Sequence, residues 1–112
     1  MRLRGCCNFF SKLYIGDSIK DARLVKWKLK HGAGQLFIYV ITASDIPTGQ
    51  LEIKHCAFLK QKYYLRHPEF IYGIAGSYNE ALDIVVKISE EASKKGMEGD
   101  IKGYLISLLG NN

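Results

Sequence analysis

The chain has 112 residues, of which 47% are hydrophobic and 24% charged, and a formal charge of +5. That size suits one domain and buries roughly two-thirds of the unfolded surface, so a core needs neither metal nor disulfide to hold it. The composition excludes a disordered chain, a collagen, a coiled coil and a disulfide scaffold. The charge is uneven: residues 1–68 carry 12 basic and 4 acidic side chains, a net of +8, while residues 69–112 carry 4 and 7, a net of −3. Such asymmetry points to an anionic partner, or to one half of the chain docking on the other.

Cys6 and Cys7 are adjacent and Cys56 stands alone. No C-x-x-C pair or zinc-like spacing is present, so no redox motif, structural metal or cofactor is expected. Sparse cysteine suits a reducing, cytoplasmic compartment. Met1 to Phe10 holds two arginines but no apolar h-region, which argues against a signal peptide. The longest apolar run, Leu36 to Ala43, is too short to cross a bilayer, so no membrane partner is expected.

In chain order, the sequence reads as a single α/β domain over 1–112, with 1–12 an irregular segment or an extra edge strand. Leu13-Tyr14-Ile15 predicts a first strand that Phe9 and Phe10 can extend backwards, closed by Gly16-Asp17-Ser18. Ser18 and Asp21 form a variant capping box for a helix from Ile19 to about His31. Ala22, Val25 and Leu29 share one face of it, and Gly32 and Gly34 stop it. A competing reading comes from Val25 to Leu29 with its lysines. That stretch alternates as a strand does, and a hairpin of 24–30 with 36–42 would use the pattern. The cap residues favour the helix.

Leu36 to Ala43 is apolar without alternation, as expected of a strand covered on both faces in a parallel sheet. Ser44-Asp45 closes it, and Pro47-Thr48-Gly49 makes a turn. A helix is predicted from about Gln50 to Leu65, apolar around much of its circumference and therefore buried or paired. Pro68 stops it. Phe70 to Ala75 predicts a third strand, ended by Gly76. Ser77-Tyr78-Asn79-Glu80 is a full capping box, and Gly96 is placed to end the helix it opens. Asp100 caps a short last helix. The order β-α-β-α-β-α-α implies a small three-layer or two-layer α/β sandwich with three mainly parallel strands. Such a sheet has two edges to cover, and residues 1–12, the last helix or a second copy of the chain could each cover one.

In an open α/β sheet, ligands sit beyond the carboxyl ends of the strands. Those ends supply the candidate ligand-binding residues Gly16, Asp17, Ser18, Ser44, Asp45, Gly76 and Ser77. Amide N–H groups at helix starts there can hold an anion, although serine and aspartate in these places also serve as ordinary helix caps. Asp17 and Asp45 would be neighbours if the first two strands pair, and two carboxylates can share acid–base work. With Ser77 they define a reading as a small enzyme. No dinucleotide or P-loop glycine pattern is present. His31, His55 and His67 belong to no recognisable triad or metal spacing.

A second candidate is a basic face formed by Lys26, Lys28, Lys30, Lys60, Lys62 and Arg66. Lys20, Arg23 and Trp27 stand near the first three, and Tyr63 and Tyr64 among the last. Basic side chains interleaved with aromatics can hold phosphates and stack bases. Solvated helix faces whose lysine stems cover apolar surface would show the same pattern.

Several stretches resemble a family of small, uncharacterised bacterial α/β proteins of unknown function. They are Trp27-Lys28-Leu29-Lys30-His31, Ala33-Gly34-Gln35-Leu36, Tyr39-Val40-Ile41, Leu59-Lys60-Gln61-Lys62-Tyr63-Tyr64 and Ile74-Ala75-Gly76-Ser77-Tyr78-Asn79-Glu80-Ala81-Leu82. The resemblance covers about residues 13–95 and implies no activity. The sequence alone therefore favours a non-catalytic domain that self-associates as a homodimer or larger assembly. Binding of an anionic ligand, either a phosphorylated small molecule or a nucleic acid, through the basic first half is the alternative. The carboxyl-edge enzyme is a second alternative.

Overall fold

The computed structural model describes residues 7–31, 37–44, 50–57 and 69–109. Four strands, β1 (Cys7–Ile15), β2 (Tyr39–Ala43), β3 (Leu51–His55) and β4 (Glu69–Ala75), form one sheet in the order β1-β4-β2-β3. Three helices complete the described fold: α1 (Ala22–His31), α2 (Tyr78–Lys94) and α3 (Ile101–Leu109). Their order among the described residues is β-α-β-β-β-α-α.

The fold is α/β, but the sheet is mixed and has four strands, not three mainly parallel ones. β1 runs parallel to β4, whereas β2 is antiparallel to both β3 and β4. β2 is covered on both faces, as its unbroken apolar run implies. Burial on two faces says nothing of strand direction, and that is where the parallel expectation fails.

The predicted helix from Gln50 is also corrected. Leu51 to His55 is a strand, paired residue for residue with β2 from Tyr39↔His55 to Ala43↔Leu51. Leu51 and Ile53 point to the core while Glu52 and Lys54 share the other face, where they form a 3.5 Å ion pair. A spacing of two puts both groups on one side of a strand and on different sides of a helix. Residues 58–65 of that predicted helix lie outside the described residues, as do Pro47-Thr48-Gly49, Gly32 and Gly34.

The helix reading of the first connection holds and the hairpin does not. α1 begins three residues later than expected, however, and Asp21 rather than Ser18 caps it. The Leu24 N–H donates to Asp21 Oδ1 at 3.1 Å, and Val25 N–H to the Asp21 carbonyl. β1 begins at Cys7, so residues 7–12 are part of this end strand of the described sheet.

Helices cover both faces of the sheet. Leu29 of α1, with Ala22 and Val25, packs on Val40, Ile71 and Ile74. On the opposite face α2 and α3 bring Ala81, Ile84, Ile88, Ala92, Tyr104 and Leu105 against Phe10, Ile41, Tyr72 and Ala75. The capping signals read from the sequence recur here. Ser77 Oγ accepts from Glu80 N–H at 3.1 Å, and Asp100 Oδ1 from Gly103 N–H at 3.0 Å. At the end of α2, Gly96 takes φ +77°, which lets Met97 N–H return to the Ala92 carbonyl and Gly96 N–H to that of Ser93. That is the double closure in which glycine is favoured.

Candidate functional site

Because β1 and β4 are parallel neighbours, their carboxyl ends meet. The Gly16 N–H donates to the Ile74 carbonyl at 2.9 Å. Glu80, in the first turn of α2, closes over this junction. Its carboxylate accepts from Gly76 N–H at 2.6 Å, Ser18 N–H at 2.9 Å and Ser18 Oγ at 2.7 Å. These donors, chiefly the Gly76 amide and the Ser18 hydroxyl, hold the Glu80 carboxyl below its ordinary range. A Cβ at Gly16 would fall on the Glu80 side chain, and one at Gly76 on Ser18 Oγ, so both strand ends need glycine for this closure.

Gly16, Asp17, Ser18, Gly76 and Ser77 therefore gather at one end of the sheet, with Asp17 exposed in the turn. The Ser18 and Gly76 amides already serve the protein's own carboxylate. Ser44 lies at the other end, because β2 runs opposite to β4. There its N–H donates to the Gln50 carbonyl, and its own carbonyl accepts from Lys102 Nζ at 3.0 Å. Asp45 lies outside the described residues. The premise that the first two strands are neighbours is corrected, since β4 stands between β1 and β2.

At the same end as Gly76, Tyr39 sets its ring edge-on to His55 at 5.2 Å and to Tyr78 at 5.9 Å. His55 Nδ1 accepts from Ala57 N–H at 3.0 Å, which leaves the imidazole proton on Nε2 when the ring is neutral. Cys56 beside it is buried. The side chain of His31, and His67 altogether, lie outside the described residues. Among the described residues no three His, Cys, Asp or Glu side chains group as metal ligands, and no helix is long and apolar enough to cross a membrane.

The basic face is partly assembled. Arg23, Lys26, Trp27 and Lys30 follow one another at i, i+3, i+4 and i+7, the spacing of one helical face. With Phe9 of β1 they line a cleft of about 350 Å³. Lys26 Nζ stands 5.9 Å from the centre of the Phe9 ring, within cation–π range. The Trp27 indole is 53% exposed. Lys28, two positions from Lys26 and Lys30, does not line the cleft. Lys60, Lys62 and Arg66 lie outside the described residues. Phe9 was not a candidate from sequence. The helical spacing of Arg23, Lys26, Trp27 and Lys30 is legible in the chain, but only the tertiary fold shows which strand residue faces them.

No family model, no curated protein and no solved structure matches the chain. The resemblance to a bacterial family has no support from these comparisons.

Proposed function

We propose that this is a non-catalytic cytoplasmic binding domain whose α1–β1 cleft holds a phosphate-bearing anion. The observation that carries the reading is that Arg23, Lys26 and Lys30 line one cleft together with Trp27 and Phe9. Three cations on one face repel one another, and a bound polyanion relieves that repulsion. At the strand ends the Ser18 and Gly76 amides donate to Glu80, so the cleft is the better-supplied anion site. The test is retention on immobilised polyphosphate at low salt. Wild-type protein should bind and elute as salt rises, while Lys26→Glu with Lys30→Glu should pass through. Equal elution of the two proteins would remove the cleft as the site.

Self-association is a second reading. It rests on Leu82 and Val86, exposed one turn apart on α2, on exposed Ile106 of α3, and on β1 and β3 as the end strands of the described sheet. Light scattering across a concentration series tests it, and a constant monomer mass would exclude it.

A further inference from the structure

We infer that the cleft accepts single-stranded nucleic acid, with one unpaired base lying against the Trp27 indole and flanking phosphates held by Arg23, Lys26 and Lys30. The inference rests on the cleft reading above and adds the chemical class of its ligand. A simple phosphate would use the cations and leave the exposed half of the indole in water. Trp27 instead presents half its surface to solvent in the middle of the cationic row. Covering that apolar face with a base recovers burial that a bare phosphate cannot.

The arrangement of the cations points the same way. Arg23, Lys26 and Lys30 are set along the axis of α1 over about 10 Å, with about 6 Å between the two lysines. A row of this kind follows a backbone, whereas a lone phosphate is met by donors converging on a point. Phe9 closes the far wall with a second ring, against which Lys26 already rests. The cleft volume, about 350 Å³, lies at the small end for ligand pockets and suits one base rather than a large cofactor. A duplex keeps its base faces stacked inside and offers the indole nothing to cover, so the single strand is favoured.

Trp27 is the sole tryptophan of the chain, so tryptophan emission, excited at wavelengths the seven tyrosines do not absorb, reports on this cleft. The experiment titrates the full chain with an oligo-dT of about 12 nucleotides. Parallel titrations use an abasic strand of equal length, a duplex of that length, and inorganic tripolyphosphate. Oligo-dT should quench Trp27 and bind about tenfold more tightly than the abasic strand. Its affinity should fall with salt at a log–log slope of about −2, as three neutralised phosphates give on a single strand. Trp27→Leu should lose about tenfold in affinity for oligo-dT and nothing for the abasic strand, with Trp27→Phe restoring part of it. Equal binding of oligo-dT and abasic strand, without quenching, would overturn the base contact. The cleft reading would survive that result as long as Lys26→Glu with Lys30→Glu released both. A duplex bound as tightly as oligo-dT would overturn the preference for single strands. If no polyanion bound at low salt, both readings would fall together.

Discussion

The two faces of the sheet are built on different terms. Beneath α2 and α3, Ala81, Ile88, Ala92 and Leu105 are fully sealed, and the Phe10 and Tyr72 rings meet edge-on at 5.2 Å. Beneath α1, Leu29 is the one helix residue buried among those described, with Ala22 and Val25 only half covered. The α2–α3 face thus carries most of the packing, while α1 turns a cationic face with an exposed indole to solvent. Side chains largely in water, as those of Arg23, Trp27 and Lys30 are, contribute little to stability. Binding at the cleft should therefore be separable from folding.

Equivalent truncations on the two sides should differ in cost. Ile88→Ala opens a void in a sealed layer and should cost about 3–4 kcal/mol, near the middle of the range for buried large-to-small changes. Leu29→Ala sits under a thinner cover whose neighbours can relax, and should cost about 2–3 kcal/mol. Urea denaturation of both variants at equal slope measures the difference. A larger loss from Leu29→Ala would show that α1 is the stronger anchor.

The next effect joins three elements of the packed face. Tyr14 of β1 donates its hydroxyl to Glu91 Oε1 of α2 at 2.6 Å, and Tyr104 of α3 donates to the same oxygen at 3.3 Å. Burial, then the neighbouring Glu91 carboxylate, pushes the Tyr14 phenol well above its ordinary value. Tyr14→Phe should cost about 1.5–3 kcal/mol, as hydrogen bonds to charged groups do. The pH dependence has a definite sign. A phenol raised in the folded state lends stability that is complete below about pH 10 and is lost as pH climbs toward its folded value. Thermal melts from pH 8 to 11 should show an alkaline decline that is shallower in Tyr14→Phe.

How much of this was legible in the sequence varies from element to element. The caps at Ser77 and Asp100 and the stop at Gly96 were readable because their chemistry is local: a side chain and an amide three residues apart, or a backbone that must take positive φ. β3 was not read, although Leu51, Glu52, Ile53 and Lys54 alternate. The apolar residues that follow blur a period of two into an all-round apolar helix. The direction of β2 was not readable at all, since a strand buried on both faces looks alike either way round. For the same reason nothing in the sequence separates Ser44 from the other strand ends. The role of Glu80 was half visible. Its capping box was plain, yet its carboxylate turns across to Ser18, 62 residues earlier in the chain, instead of back to its own cap. In the cleft, the helical half could be counted off the sequence and the strand half, Phe9, could not.

That turn of Glu80 sets the third prediction. Glu80→Gln keeps the shape but weakens three charge-assisted hydrogen bonds, and should cost about 1 kcal/mol, a typical value for losing a cap. The carboxyl is lowered in the folded protein, so its stabilisation is present above the ordinary glutamate value near 4.3 and fades as pH falls through the folded one. Acid unfolding between pH 5 and 3 should be flatter in Glu80→Gln than in wild type. Gly76→Ala crowds Ser18 Oγ and should reproduce the loss at neutral pH. If neither change moved the midpoint, the strand-end amides would be less committed to Glu80 than their distances imply, and the carboxyl edge would regain its claim as an anion site.

The smallest effect tests the cationic side itself. Lys26 and Lys30 are one turn apart on α1, and like charges at that spacing destabilise a helix by a few tenths of a kcal/mol. Lys30 also stands in the last turn of α1, where the helix dipole favours a cation by a similar amount. The two effects oppose each other, so Lys30→Ala should leave stability within about 0.5 kcal/mol of wild type. The residual should shrink further as salt rises from low to physiological. The same variant should weaken polyanion binding and lower its salt slope by about 0.7, the share of one phosphate on a single strand. A loss of more than 1 kcal/mol would mean that the Lys30 stem covers apolar surface. The row would then be part of the packing of α1, and the separation of binding from folding would not hold.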